Sequence, residues 1–126
     1  MPCSPGPKVF LASKAAITAG ARQLERTRRR LLRTRSALER AHATERELAA
    51  QVAHLQAIAA ETHTRGLVAQ DPRAVQEARD ARSDLDRHAA LLEDARQELS
   101  ALLDEQDALL DRLLELQTDP SRREPT

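Results

Sequence analysis

Two long stretches of the chain contain almost nothing that breaks a helix. From residue 12 to Arg65 the only interruption is Gly20, which a helix interior tolerates at a cost of about 1 kcal/mol. Residues 72–117 contain proline only at their first position, where the missing N–H would have no helical partner anyway. A composition with 32% charged residues, 1% aromatic residues and 3 glycines is typical of long helices or coiled coils. The sequence therefore predicts an all-α fold.

Apolar side chains recur every seven residues within both stretches. In the first stretch the two series are Ile17, Leu24, Leu31, Leu38, Glu45, Val52, Ala59 and Gly20, Thr27, Thr34, Ala41, Leu48, Leu55, Thr62. In the second they are Ala78, Leu85, Leu92, Leu99, Gln106, Leu113 and Ala81, His88, Ala95, Leu102, Leu109, Leu116. Repeats of this length indicate a coiled coil. We call the line of side chains by which one helix packs against another its seam. Threonine, glycine and alanine give the seam of the first stretch little apolar side-chain volume.

The segment between the two stretches predicts a turn at residues 66–71. Gly66 is expected to take the left-handed conformation that ends a helix, and Asp71 followed by Pro72 suits the start of the next helix. The predicted helices span about residues 12–65 and 72–117, and the predicted tails are residues 1–11 and 118–126. A short turn between long helices predicts an antiparallel two-helix coiled-coil hairpin, centred near residue 67, that could join a larger bundle by association.

An arginine-rich stretch, LERTRRRLLRTR at residues 24–35, has six arginines and one acid, Glu25. Residues 21–40 carry eight arginines and two glutamates, whereas residues 93–115 carry eight acids and two arginines. The antiparallel hairpin would place these two segments side by side, and a parallel pairing of two chains would oppose like charges. The stretch is therefore interpreted mainly as one half of a helix-pairing pattern.

A different role for the arginines is anion binding. The chain has a formal net charge of +0, so any attraction to nucleic acid or to an anionic membrane surface must be local. The arginines chosen as possible phosphate contacts are Arg22, Arg28, Arg29, Arg30 and Arg33. No aromatic side chain that could stack on a base lies near them. The sequence therefore favours helix pairing over nucleic-acid binding and keeps nucleic-acid binding as the alternative.

The second helix carries more leucine than the first helix can cover. Eight leucines occur between Leu99 and Leu116, spread over an arc of roughly 160° on the helix, wider than the stripe that a two-stranded coil buries. The predicted partner interface consists of Leu24, Leu31, Leu102, Leu103, Leu109, Leu110, Leu113 and Leu116, with Leu102, Leu109, Leu113 and Leu116 at its centre. Gln106 lies within this stripe and is a candidate for fixing register. Alternatively, Val9, Phe10 and Leu11 fold back over the excess.

No pattern in the sequence indicates a catalytic, metal or cofactor site. The four histidines, His42, His54, His63 and His88, are never three or four residues apart, the spacing that two ligands on one helix need. The chain has no HExxH motif, glycine-rich phosphate loop or GxSxG motif. The sequence therefore predicts a protein that is not an enzyme and holds no cofactor.

These observations favour a noncatalytic coiled-coil interaction or scaffold subunit that binds protein, either a second copy or another coiled-coil subunit, through its leucine-rich face. Nucleic-acid binding by the arginine stretch is the alternative function. No apolar run approaches the ~20 residues of a membrane span, so a cytoplasmic location is expected. A mitochondrial location is the alternative because the first 24 residues hold three basic residues and no acid.

Overall fold

Two α-helices that pack against each other form the structure, a computed structural model that describes the backbone of residues 7–118 and the side chains of residues 18–118. Helix α1 spans Pro7–Ala69 and helix α2 spans Pro72–Gln117, and no strand occurs within this part of the chain. Because only Gln70 and Asp71 separate the helices, α2 runs back along α1. The predicted all-α antiparallel hairpin is confirmed.

Helix α1 is longer than the sequence predicts at both ends. It begins at Pro7, within the segment predicted as a tail, and continues through Gly66 to Ala69. Proline suits this first position because its fixed φ is helical and its missing N–H would be unpaired. The rest of the predicted tails, residues 1–6 and 119–126, lies outside the described residues.

The turn uses a different residue from the one expected. The prediction that Gly66 adopts the left-handed conformation is wrong: the residue with positive φ is Gln70, at 50°, and no described glycine has one. The Gln70 N–H donates to the Gly66 carbonyl oxygen at 3.1 Å, which closes the last turn of α1. Gly66 is buried instead, and a Cβ there would lie 3.4 Å from the Ala74 carbonyl oxygen. An added Cβ would therefore make van der Waals contact with α2, which shows that the last turn of α1 packs directly on α2.

Asp71 caps the start of α2, as predicted. Its Oδ1 accepts a hydrogen bond from the Arg73 N–H at 3.2 Å, and its carbonyl oxygen accepts one from the Val75 N–H at 3.0 Å. A side-chain oxygen at this position satisfies a backbone donor that has no partner within the helix. Pro72 occupies the first helical position, so the two residues together fix where the chain re-enters a helix.

The extension of α1 changes which residues of the two helices face each other. Gly66 lies against Ala74, and Arg96 Nε lies 3.3 Å from Glu45 Oε1. A turn centred near residue 67 would instead have placed Glu45 opposite about residue 89. The observed pairing is therefore displaced toward the C terminus by about two helical turns, because the chain reverses at Gln70 and Asp71.

The chain divides into two compact units. The central unit comprises Ala37–Leu103 and the terminal unit comprises Met1–Ser36 together with Asp104–Thr126. In the central unit the core consists of Val52, Ala59, Ala81, Leu85 and Leu92, with Leu48, Ala49, Leu55 and Ile58 packed against it. All of the buried members belong to the seven-residue series, so the predicted seam is confirmed in this unit.

The terminal unit has a thinner seam. Among its described residues only Thr34 on α1 and Leu109 on α2 are buried, at 5% and 9% exposure. The Thr34 hydroxyl donates to the Arg30 carbonyl oxygen at 3.0 Å, so this polar side chain can lie in the seam without leaving an unpaired donor. A threonine offers little apolar surface to the leucines across from it, and the terminal unit therefore buries less of α2 than the central unit does.

Candidate interaction surface

The eight leucines of the predicted interface differ in exposure: six are buried or half-buried and two are exposed. Leu109 is buried against α1, and Leu24, Leu31, Leu102, Leu113 and Leu116 are half-buried. Leu103 and Leu110 are exposed, each at 41%. The proposed centre of the interface therefore lies mostly in the seam of the hairpin, where its side chains already have neighbours within the chain. The interface role of all eight leucines stays a prediction.

Three exposed leucines of the terminal unit form what we call the outer leucine surface: Leu32, Leu110 and Leu114. Leu32 is 63% exposed and Leu114 is 59% exposed. Leu110 and Leu114 are neighbours on α2 because they are four residues apart. Leu32 follows the seam residue Leu31 as Leu114 follows Leu113, with Leu31 and Leu113 both in the first series of their helix, and in an antiparallel pair equivalent positions on the two helices lie on the same side. One side of the terminal unit therefore carries all three leucines.

Leu32 and Leu114 were absent from the predicted interface, although the sequence contains a signal that could have found them. Leucine occurs in consecutive pairs at 31–32, 91–92, 102–103, 109–110 and 113–114. Successive residues of a helix point about 100° apart, so both members of a pair cannot enter one narrow seam. In four of the five pairs the second leucine is the exposed one, and in the pair 91–92 it is the first.

The arginine stretch forms one ion pair with the opposite helix. Arg30 Nε lies 3.5 Å from Glu105 Oε1, and Arg29 Nε lies 3.3 Å from Glu25 Oε1 on its own helix. Arg22, Arg28 and Arg33 form no ion pair with any residue whose side chain is described. The cross-helix pair agrees with the antiparallel charge pattern, but it is exposed, so it contributes at most about 1 kcal/mol.

Gln106 lies where the seam series predicts. It is half-buried, and it forms no hydrogen bond to another described residue through its side-chain amide. A polar side chain at such a position can favour one register because other registers would bury it more deeply. The role of Gln106 in fixing register stays a prediction.

The described side chains contain no group of three or more His, Cys, Asp or Glu residues arranged to hold a metal ion. His88 Nδ1 lies 2.9 Å from the Asp84 carbonyl oxygen on its own helix, which gives this seam histidine a local partner.

Neither α1 nor α2, over the residues described, is long and apolar enough to cross a membrane.

In comparisons with known proteins, no protein-family model, no curated protein and no solved structure matches the chain.

Proposed function

We propose that the protein is a noncatalytic coiled-coil interaction subunit that associates through the leucine-rich face of its terminal unit. The observation that carries this proposal is the exposure of Leu32, Leu110 and Leu114 on one side of that unit. Covering such leucines with another helix removes apolar surface from water, which is worth up to about 1.5–3 kcal/mol for each side chain that becomes fully buried. Clustered exposed apolar side chains of this kind mark protein interaction sites.

The partner that fits this surface is another helical protein or a second copy of the chain. An apolar stripe on a helix is covered most completely by a neighbouring helix, as in bundles formed by two hairpins. The charged residues around the leucines would remain in water at the rim of such an interface. We propose a cytoplasmic location for this scaffold role.

The first test of this proposal replaces Leu110 and Leu114 with glutamate. We expect the double variant to lose association with its partner because two carboxylates would have to leave water on binding. The measurement is the mass of the purified protein in solution by sedimentation equilibrium over a range of concentrations. A self-associating wild type and a monomeric variant with unchanged helical circular dichroism would support the proposal.

The control is Leu91→Glu, which adds one carboxylate at a leucine that is 49% exposed in the central unit. We expect this variant to associate like the wild type. If Leu110→Glu and Leu114→Glu together leave the association of a self-associating wild type unchanged, the outer leucine surface is not its interface. If the wild type is monomeric, the double variant (Leu110→Glu with Leu114→Glu) and the control Leu91→Glu are compared for capture of helical partners from nuclease-treated lysate of native cells. Equal capture by both would refute the proposal.

Nucleic-acid binding is the second candidate function, and a separate observation favours it. Arg22, Arg28 and Arg33 form no ion pair with the described acids, although α2 carries several carboxylates. Arginines that are not held by internal partners are available to phosphate oxygens, which accept their fork of donors well. Arg29 and Arg30 would have to exchange Glu25 and Glu105 for phosphate.

Salt dependence tests this second function. If three arginines neutralise phosphates, binding between ~50 mM and ~200 mM salt should weaken roughly 40-fold for a labelled duplex and roughly 20-fold for a single strand. The variant Arg28→Gln with Arg33→Gln should bind more weakly and show a shallower salt slope, measured by fluorescence anisotropy. The control variant, Arg73→Gln with Arg87→Gln, should bind like the wild type. Binding that is absent, or insensitive to salt, would reject the function.

A further inference from the structure

A groove lies beside the turn within the central unit. It encloses about 550 Å³ and is lined on the α1 side by His63, Gly66 and Leu67 and on the α2 side chiefly by Val75, Arg79 and Arg82. Leu67 is 63% exposed and Val75 is 37% exposed, so described residues of the chain leave this apolar lining uncovered. The groove, which we call the turn groove, is therefore a second apolar surface without an occupant in the described part of the chain.

The α2 side of the turn groove combines apolar and positively charged residues. Val75, Arg79 and Arg82 are spaced by four and three residues, which places them along one stripe of the helix. Arg82 Nε lies 3.3 Å from Asp86 Oδ1, and that carboxylate also lines the groove. Arg79 forms no ion pair with a described acid. The stripe thus presents an apolar residue followed by two arginines, one of them unpaired.

A stripe of opposite charge occurs on α2 in the terminal unit. Asp107, Leu110, Asp111 and Leu114 have the spacing i, i+3, i+4 and i+7, so they cover one side of the helix. The two leucines belong to the outer leucine surface and are exposed. Asp107 and Asp111 form no ion pair with any residue that the structure describes. We call these four residues the acidic leucine stripe.

We propose that the turn groove of one copy binds the acidic leucine stripe of a second copy, with the two α2 helices antiparallel. In this alignment Leu114 packs on Val75, Asp111 lies beside Arg79 and Asp107 lies beside Arg82. The spacings on the two helices agree. Each step is three or four residues, about one helical turn, both along one helix through residues 75, 79 and 82 and along the other through residues 114, 111 and 107. This inference rests on the proposed function and names its partner, a second copy of the chain.

Charge is what selects this pairing over the other ways in which two copies could meet. Two acidic leucine stripes brought together would place Asp107 and Asp111 of both copies at one interface, and two turn grooves would do the same with Arg79 and Arg82. Like charges at an interface disfavour those contacts, whereas groove against stripe joins opposite signs. The apolar part of each surface covers the apolar part of the other.

A pair of charge-reversal variants tests the proposal. The groove variant carries Arg79→Glu and Arg82→Glu, and the stripe variant carries Asp107→Arg and Asp111→Arg. We expect each variant alone to self-associate at least about tenfold more weakly than the wild type, because the two attractive pairs of each groove-to-stripe contact become repulsive. An equimolar mixture should associate as the wild type does, since both groove-to-stripe contacts in a mixed pair again join opposite charges. Sedimentation velocity over a concentration series measures all three samples.

The control keeps the number of reversed charges but moves them out of the groove. The variant Arg73→Glu with Arg87→Glu should associate like the wild type, and circular dichroism should show equal helix content in every sample. Association that is lost with Leu110→Glu and Leu114→Glu but unaffected by the groove variant would overturn the groove proposal and leave the proposed function standing. Weakened variants that do not recover on mixing would also overturn it. A wild type that stays monomeric would overturn binding to a second copy, while capture of another protein would still be open to test.

Discussion

Replacing Leu92 with alanine should lower the free energy of unfolding by about 2–3 kcal/mol, whereas Leu91→Ala should change it by no more than ~0.5 kcal/mol. Leu92 is 7% exposed and belongs to the core of the central unit. Its truncation removes buried methyl groups and leaves a gap that the two helices can close only in part. Leu91 is the adjacent residue on the same helix, but it already faces water.

Urea unfolding followed by circular dichroism measures this difference, and the comparison holds helix propensity equal because both variants exchange leucine for alanine in the interior of α2. The variants should unfold at different midpoints with similar slopes. Equal destabilisation by the two substitutions would mean that Leu91 is also covered, and that the seam of the central unit is wider than the structure shows.

The seam itself could be predicted from the sequence because its cause is local and periodic. A helix brings every seventh residue back to nearly the same side, so the seven-residue spacing alone places Val52 with Ala59 and Leu85 with Leu92. Asp71 and Pro72 were also predictable, since an N-cap and a first-turn proline depend only on neighbouring backbone groups. These features are fixed by interactions within a few residues.

The geometry of the turn could not be predicted in the same way. Glycine is the residue that most easily takes positive φ, which is why Gly66 was expected to end α1. In the structure Gly66 stays helical and is buried against Ala74 of α2, and Gln70 takes the left-handed conformation instead. The last turn of α1 packs against α2, an interaction between helices that the neighbouring sequence does not encode, and the register of the two helices differs from the prediction accordingly.

The candidate site was predictable only in part for a related reason. An excess of leucine on α2 is visible in the sequence, but which leucines enter the seam depends on the helix opposite them. Thr34 is the most buried residue described in the terminal unit, and its small side chain leaves the surplus outside. The turn groove was missed altogether because Leu67 and Val75 belong to neither seven-residue series.

Leu109→Glu should destabilise the terminal unit strongly, whereas Leu110→Glu should leave its fold intact. Leu109 is buried in the seam at 9% exposure, so a carboxylate there must either lose its hydration or force the helices apart, at a cost of about 3 kcal/mol or more. Leu110, one residue further along α2, already lies in water, and its substitution should affect only what binds there.

Amide hydrogen exchange at low protein concentration separates these two effects residue by residue. For Leu109→Glu, amides of residues 24–36 and 104–117 should exchange about 100-fold faster, the change that corresponds to about 3 kcal/mol. Protection around Val52 and Leu85 should persist because these residues belong to the core of the central unit. Leu110→Glu should keep wild-type protection in both units. The opposite result, with Leu110→Glu losing protection and Leu109→Glu keeping it, would mean that α2 is rotated about its axis relative to the structure, and the surface proposed for association would then be the seam.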